Sequence, residues 1–200
     1  MSPVSAVDEA ELRELIARGE LDRATERAIR TYGPELVGWL CSMIDAEADA
    51  YDAFSWLCEQ LWRSLKRYDG RCSIRTWCYM LARHATSRVR SAPGKHREIL
   101  VSEIPSIVHA FDDVWNTTKV GARRAETVYA QLRRELDDEE QTLLVLRVDR
   151  GLNWSEIALV LLGETAEPEA VKKKGASLRK QFERLKEKLR ERADEQLKDG

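Results

Sequence analysis

The chain has 200 residues, 43% of them hydrophobic and 34% charged, which is enough for one large domain or two small ones with packed cores. Its net charge of −2, from 33 basic and 35 acidic residues, argues by itself against a nucleic-acid-binding protein. No apolar run reaches the ~20 residues that a membrane-spanning helix needs, and the first residues lack a signal-peptide pattern, so we expect a cytoplasmic protein without membrane insertion.

The amino-terminal part of the chain predicts short helices separated by glycine. Residues 1–10 are predicted to be a flexible N-terminus, and the chain then continues in an amphipathic helix that ends before Gly19. A second helix is predicted from Asp22 to Tyr32. The pair Gly33-Pro34 is expected to break it, because proline lacks the N–H that a helix interior uses, and helix resumes up to Ile44.

The next helix has an apolar face and a charged face that carries a tryptophan. The apolar residues repeat at helical spacing and define a buried face: Phe54, Leu57, Cys58, Leu61 and Leu65. Trp56 lies on the opposite face, beside Asp52 and Glu59. Two interpretations stay open. Trp56 is partly buried under a neighbouring helix, or it anchors a protein partner, since tryptophan is enriched where interfaces concentrate their binding energy.

A basic stretch runs from Arg63 to Arg97 and holds ten basic residues against a single acid. Inside it Gly70 makes a turn, and Ser73 is a suitable N-cap for a helix from Ile74 to Arg90. One stripe of this helix is apolar. The other is predicted to be a basic face that carries a tyrosine: Arg75, Tyr79, Arg83, Thr86 and Arg90. Concentrated positive charge with aromatic rings inside it is typical of a surface that binds a polyanion with stackable bases.

A linker is predicted over residues 93–124, which show no clean period and are interrupted by Pro105. One or two short helices are expected within it, near residues 107–115. Irregular connections of this length suggest two domains that move relative to each other.

A second helical domain is predicted over residues 125–195. Acidic residues at 137–140 mark one helix start, where the helix dipole favours them. Asn153 marks the next, with Glu156 in the position that a capping box requires.

The last predicted helix begins after Ser177 and is strongly basic, with ten basic and three acidic residues over 171–192. Short helices followed by a basic helix form a helix-turn-helix pattern, whose last helix enters the major groove of DNA. The preceding turn, Gly163–Ser177, is long and is expected to form either an extra helical turn or a loop over the DNA backbone. Two basic patches on an otherwise acidic chain favour nucleic-acid binding, although the net charge alone argues against it.

The segment Asp69–Arg83 resembles the promoter-melting segment of extracytoplasmic-function (ECF) sigma factors of the sigma-70 family. Upstream, Asp52–Trp62 is similar to the polymerase-binding helix of that family. Downstream, Leu136–Glu156 and Leu178–Leu189 resemble the two halves of its helix-turn-helix. The resemblance implies an all-α fold of two small helical domains, sigma region 2 over residues 11–92 and sigma region 4 over 125–195, joined by the linker.

The resemblance also implies a function and a set of site residues. An ECF sigma factor binds core RNA polymerase, directs it to a two-part promoter and helps to open the duplex, and many such factors are controlled by an anti-sigma factor. The strand of the −10 element would contact Gly70, Arg71, Cys72, Ser73, Ile74, Arg75, Trp77, Arg83 and His84. The −35 bases would face Arg179, Lys180, Glu183 and Arg184, with phosphates at Lys172, Lys173, Lys174, Lys186 and Lys188. Polymerase would bind Asp52, Ser55, Trp56, Glu59 and Trp62.

A second class of function is kept beside this one, a free-standing helix-turn-helix regulator whose amino-terminal domain senses a ligand or dimerises. Two basic patches in two domains favour the sigma factor, because a regulator with one DNA site has no use for the first patch. We do not expect an enzyme, because the sequence has no phosphate-binding glycine loop and no nucleophile beside a base. Nor do we expect a metal or cofactor, since the four cysteines lack the paired spacing of a zinc site.

Overall fold

The computed structural model describes residues 6–91, 104–124 and 136–198, and within these residues every regular element is a helix. The chain divides into two compact units, Met1–Ala125 and Glu126–Gly200. Unit 1 contains α1 (Ala6–Ala17), α2 (Leu21–Met43), α3 (Glu47–Ser64), a 3-10 turn (Leu65–Arg67), α4 (Ile74–Ser91) and α5 (Pro105–Arg124). Unit 2 contains α6 (Asp138–Leu144), a π-helical turn (Val145–Asp149), α7 (Trp154–Leu162) and α8 (Pro168–Lys198). The all-helical prediction is confirmed for these residues.

Helix α2 is the centre of unit 1, because α1, α3, α4 and α5 all pack against it. Its apolar residues are fully buried with those of α3 and α4, including Trp39, Phe54 and Leu61. Helix α1 begins at Ala6, earlier than the sequence predicted. The remainder of the predicted flexible N-terminus, residues 1–5, lies outside the described residues.

The predicted helix break at Gly33-Pro34 is wrong, because α2 continues through both residues to Met43. Pro34 removes one hydrogen bond inside the helix, to the Arg30 carbonyl, but both residues lie on the exposed side, where water can reach that carbonyl. Gly33 is buried. A Cβ atom there would lie 2.7 Å from Cγ1 of Val114 in α5, so glycine allows the two helices to approach closely. Residues of α2 before and after this pair are buried in the core, and this packing keeps the helix continuous.

Residues 105–124 also differ from the predicted linker, since they form the 20-residue helix α5 of unit 1. The buried face of α5 consists of Ile107, Ala110, Phe111, Val114 and Trp115. The Phe111 ring stacks on Phe54 of α3 at 5.2 Å, and Trp115 meets Tyr51 edge-on at 5.2 Å between ring centroids. These apolar residues recur at steps of three and four, a helical signal that Pro105, which stands at the first position of α5, obscured. Residues 93–103 of the predicted linker lie outside the described residues.

Unit 2 is built on two capped helix starts, both at places where the sequence predicts a helix to begin. The Asp137 side chain accepts a hydrogen bond from the Glu140 N–H at 2.8 Å, while the Glu140 carboxylate accepts from the Asp137 N–H. Asn153 and Glu156 make the same reciprocal pair at the start of α7. Two N–H groups at the first start and three at the second therefore find partners within the chain.

The long turn before the basic helix is shorter than predicted. Helix α7 ends at Gly163, whose φ of +91° is the left-handed backbone that favours glycine. Helix α8 already begins at Pro168 and continues through Gly175 and Ser177 to Lys198. Of the two alternatives for Gly163–Ser177, extra helical turns are confirmed and a loop over the DNA backbone is wrong.

Candidate nucleic-acid interface

The loop between the 3-10 turn and α4 is shaped by Asp69 and Gly70. The Asp69 carboxylate accepts a hydrogen bond from the Arg71 N–H at 3.1 Å and pairs with the Arg71 guanidinium at 2.5 Å, interactions that lower the pKa of Asp69. Gly70 has φ +78°, a conformation that side chains rarely adopt. The loop therefore projects Arg71 outward, where 57% of its side chain is exposed.

The base of the loop is fixed to the core of unit 1. The Tyr68 hydroxyl donates to the Cys72 carbonyl, and the Tyr68 ring meets Trp77 edge-on at 5.6 Å. The Trp77 indole N–H in turn donates to Ser64 Oγ at 3.0 Å. Burial raises the pKa of Tyr68 to about 12, so its hydroxyl remains a donor at neutral pH. The predicted N-cap is confirmed, because Ser73 Oγ accepts from the Thr76 N–H at 3.0 Å.

The predicted basic face of α4 is wrong, because Arg75, Tyr79 and Arg90 of that stripe contact α2. Tyr79 and Thr86 are buried, and the Tyr79 ring meets Trp39 edge-on at 6.1 Å. Arg75 forms two 2.7 Å hydrogen bonds with both carboxylate oxygens of Glu35, a residue of α2 that is only 6% exposed. Charges at helical spacing predicted a solvent face, but Arg75 neutralises a buried carboxylate.

The residues predicted to contact the −10 strand therefore fall into three groups. Gly70, Arg71 and His84 are exposed, and Cys72, Ser73, Arg75 and Arg83 are half-buried. Ile74 and Trp77 are buried, with Trp77 only 4% exposed, so neither presents a surface for a base. The loop residues lie together at the amino-terminal end of α4. His84 lies about 15 Å further along the helix, at 1.5 Å per residue.

The predicted polymerase-binding residues share the outer side of α3, where all five are half-buried: Asp52, Ser55, Trp56, Glu59 and Trp62. The Arg88 guanidinium of α4 lies over the Trp56 ring at 5.6 Å, so a neighbouring helix covers part of the indole and the rest of its surface is left for a partner. The Trp62 indole N–H donates to Asp22 of α2 at 2.8 Å. Beside Trp62 an open groove of about 510 Å³ is lined by Gly19–Arg23, Arg63 and Lys66.

In unit 2 the four residues predicted to read bases lie on one exposed stretch of α8: Arg179, Lys180, Glu183 and Arg184. Lys172 and Lys173 are also exposed, while Lys174 and Lys186 are half-buried, and Lys186 pairs with Glu183 at 2.7 Å. Lys188 differs from its prediction as a phosphate contact. Its ammonium lies 2.7 and 2.8 Å from the two carboxylate oxygens of Glu140 in α6, so its charge is neutralised inside the unit.

The sequence did not single out Trp154 and Gly175, which hold α7 and α8 together. Two cations lie over the Trp154 ring, the Arg147 guanidinium at 4.5 Å and the Arg179 guanidinium of α8 at 6.0 Å from the ring centroid. A Cβ atom at Gly175 would lie 3.3 Å from the Trp154 carbonyl oxygen. The available signal was a glycine in the interior of a helical pattern, which often marks a close approach of two backbones.

Comparison with known protein families bears on unit 1. Residues 28–92 match the family model described as Sigma-70 region 2. The match supports a member of the sigma-70 family and an RNA polymerase sigma factor. No curated protein and no solved structure matches the chain.

The matched segment begins inside α2 and ends with α4, so it contains the Asp69–Ser73 loop and the outer face of α3. Helices α1 and α5 lie outside the matched residues, yet both pack against α2. Helices of the same unit therefore extend the matched segment at both ends.

Two further features of the described residues bear on the sequence predictions. Within residues 6–91, 104–124 and 136–198, no group of three His, Cys, Asp or Glu side chains forms a potential metal site. No helix in these same ranges is both long and apolar enough to cross a membrane. The four cysteines are free thiols, and burial raises the pKa of Cys58 and Cys78.

Proposed function

We propose that this protein is an alternative sigma factor of the ECF type, which binds core RNA polymerase in the cytoplasm and directs it to specific promoters. The proposal is carried by one observation, an exposed loop that presents Arg71, follows the exposed Lys66 and Arg67, and is held by fixed contacts within the residues that match region 2. A loop that is already ordered can bind a nucleic-acid strand without the entropy cost of ordering a loop on binding.

We propose that the Asp69–Ser73 loop receives the −10 element as an opened strand. A base must leave the stack to be read this way, and stacking or equivalent contacts worth about 1–3 kcal/mol per base are needed to hold it out. Gly70, Arg71, Cys72 and Ser73 supply the loop contacts, and Arg83 and His84 extend the strand path along α4. Ile74, Trp77 and Arg75 support this surface from inside, because two are buried and Arg75 is paired with Glu35.

We propose that α8 reads the −35 element as a closed duplex, in the manner of a recognition helix. Arg179, Lys180, Glu183 and Arg184 share its exposed stretch, and a bidentate arginine–guanine pair contributes about 1–3 kcal/mol of discrimination. Lys172, Lys173, Lys174 and Lys186 are suited to phosphates, which add affinity without sequence information.

The outer face of α3, with Trp56 and Trp62, is the proposed contact with core polymerase. Two indoles on a polar helix face are typical of a protein interface, where tryptophan contributes disproportionately to binding. An anti-sigma factor that covers this face or the DNA-binding surfaces would be a suitable inhibitor.

Transcription with purified core polymerase tests the proposal. With genomic DNA as template, the added protein should create new transcription start sites, each preceded by the same two sequence elements. A free-standing helix-turn-helix regulator would instead bind duplex DNA tightly without polymerase and create no new start sites, which would overturn the proposal.

The division of labour between the units gives a sharper test. Replacing Arg179 and Arg184 together by Ala should abolish promoter choice and leave core polymerase affinity unchanged, because both side chains are exposed on α8. Trp56→Ala should have the opposite effect: it should weaken polymerase binding and leave promoter choice unchanged. An equal loss of polymerase binding in both variants would contradict the assignment.

A further inference from the structure

Glu9 of α1 connects the first described helix to the loop that precedes α4. One carboxylate oxygen of Glu9 accepts a hydrogen bond from the Ile74 backbone N–H at 2.7 Å, and the other accepts from the Tyr32 hydroxyl at 2.7 Å. Both contacts are long-range, across 65 and 23 residues of sequence. Burial and the hydrogen bond to Glu9 raise the pKa of Tyr32, so the hydroxyl keeps its proton and remains a donor.

The first turn of α4 needs such a partner. A helix leaves its first N–H groups without partners inside the helix, and the Ser73 side chain satisfies one of them, at Thr76. Glu9 satisfies another, at Ile74, and brings a negative charge to the helix end that favours it. The carboxylate thus fixes the residue at which the loop passes into α4.

A second residue of α1 reaches the same loop. The Arg13 guanidinium donates to the Cys72 carbonyl at 3.4 Å, and the same carbonyl accepts from the Tyr68 hydroxyl. Arg13 also lies 3.4 Å from Glu9. Two adjacent backbone groups of the loop, the Cys72 carbonyl and the Ile74 N–H, are therefore held by side chains one helical turn apart on α1.

We propose that α1 is a brace for the strand-binding loop, with Glu9 as a positioning residue that presets the Asp69–Ser73 backbone for an unpaired DNA strand. The inference rests on the proposed function, and it assigns a role to a helix that lies outside the matched region 2 domain. Glu9 touches no DNA in this role. It acts through the loop, whose preset conformation removes the cost of ordering it on binding.

The test uses the full chain with three substitutions. Glu9→Ala removes both hydrogen bonds, whereas Glu9→Gln keeps an oxygen that can accept from the Ile74 N–H. Glu14→Ala is the matched control, because it removes the same charge from the same helix and its carboxylate pairs with Arg18. The control matters because deleting any acid near a polyanion raises nonspecific affinity.

The first measurement is hydrogen exchange of the free protein over residues 69–76. Exchange should be faster in Glu9→Ala than in the wild type, intermediate in Glu9→Gln and unchanged in Glu14→Ala. Equal exchange in Glu9→Ala and the wild type would overturn the brace, whatever the protein's function is.

The second measurement is binding of the polymerase complex to a fluorescent single-stranded oligonucleotide that carries the −10 sequence found by start-site mapping. Glu9→Ala should bind about 10-fold more weakly, the loss expected for one hydrogen bond to a charged group, and Glu9→Gln should recover part of it. Core polymerase affinity should stay constant in every variant. An equal fall in strand and polymerase binding would reduce Glu9 to a folding role and overturn the inference. If the wild-type protein binds core polymerase but the resulting complex binds no strand, the proposed function itself would be overturned.

Discussion

Arg75 belongs to the basic stretch of the sequence, yet it serves the core of unit 1. Its guanidinium makes two hydrogen bonds to Glu35 and lies 5.8 Å from the centre of the Tyr79 ring. Arg71, four residues earlier, has a largely exposed side chain. Two arginines in the same stretch of sequence thus have different physical roles, and substitution can separate them.

Arg75→Ala should destabilise the protein by about 3 kcal/mol, because it leaves the Glu35 carboxylate buried without its charge partner. This is the low end of the range for a broken buried pair, since 25% of the Arg75 side chain is exposed. Arg71→Ala should change stability by no more than about 0.5 kcal/mol and should weaken strand binding. Urea unfolding and oligonucleotide binding measure the two effects. Equal stability of the two variants would contradict the internal role of Arg75.

Cys72 lies in the loop, and its thiol should react slowly. Burial, assisted by the nearby carboxylates of Asp69 and Glu9, raises its pKa to about 11 from the ordinary value of 9.0. Because the thiolate is the nucleophile, alkylation at pH 8 should be about 100-fold slower than for an ordinary thiol. The raised pKa also means that its contribution to stability is complete below pH 9 and is lost as the pH rises through 11.

Iodoacetamide labelling followed by mass spectrometry of the Cys72 peptide measures that rate. The rate should rise with pH up to about 11, and urea-unfolded protein, as the control, should react as an ordinary thiol. Fast labelling of the folded protein at pH 8 would show that the loop does not shield the thiol as described.

At the scale of elements, the packing of α5 explains why α2 contains a glycine in its interior. The sequence shows a helix-breaking pair at Gly33-Pro34 and an irregular linker after residue 92, and the two features look unrelated. In the structure they are one feature, because Gly33 is the point at which α5 lies against α2, with Val114 above it. The glycine accommodates a neighbouring helix instead of ending its own.

Gly33→Ala tests this packing because two effects oppose each other. In a free helix, alanine would stabilise by about 1 kcal/mol relative to glycine. Here the new methyl group would lie 2.7 Å from Val114 Cγ1, and such overpacking costs about 1–3 kcal/mol. We expect net destabilisation in thermal or urea unfolding.

The double variant Gly33→Ala with Val114→Ala supplies the control. Val114→Ala alone should destabilise by removing buried methyl groups, but in the Gly33→Ala background its cost should be smaller. Additive effects, or a stabilising Gly33→Ala, would indicate that α5 does not pack on α2 at this point.

At the scale of the whole molecule, charge is divided between surfaces rather than spread evenly. The net charge is only −2, although residues 171–192 alone hold ten basic and three acidic residues. On α8 these charges do different things: Lys188 pairs with Glu140, whereas Lys172 and Lys173 are exposed. The overall balance therefore says little about DNA affinity, and the exposed lysines should dominate its salt dependence.

Replacing Lys172 and Lys173 together by Ala should weaken promoter binding of the polymerase complex at low salt and leave sequence preference unchanged. The slope of log affinity against log salt should become shallower by about 2, because each lysine that no longer neutralises a phosphate lowers the slope by about 1. Lys188→Ala is the matched control and should leave the slope unchanged, since its charge is already paired with Glu140. A shift in base preference would place these lysines at base edges instead.

Local chemistry was sufficient for much of this protein. The helical class, the caps at Ser73, Asp137 and Asn153, and the turn at Gly70 follow from interactions within a few residues, which the sequence displays directly. The resemblance to region 2 also rests on a contiguous stretch, and it agrees with the family match over residues 28–92.

Tertiary contacts decided the rest. Whether Arg75 faces solvent or pairs with Glu35 depends on the packing of α4 against α2. The pairing of Lys188 with Glu140 likewise depends on the packing of two helices. The continuity of α2 through Pro34 and the bracing of the loop by Glu9 depend on residues far away in sequence. Periodicity identifies the two sides of a helix, but the partner of a charged side depends on packing free energy, which no single segment contains.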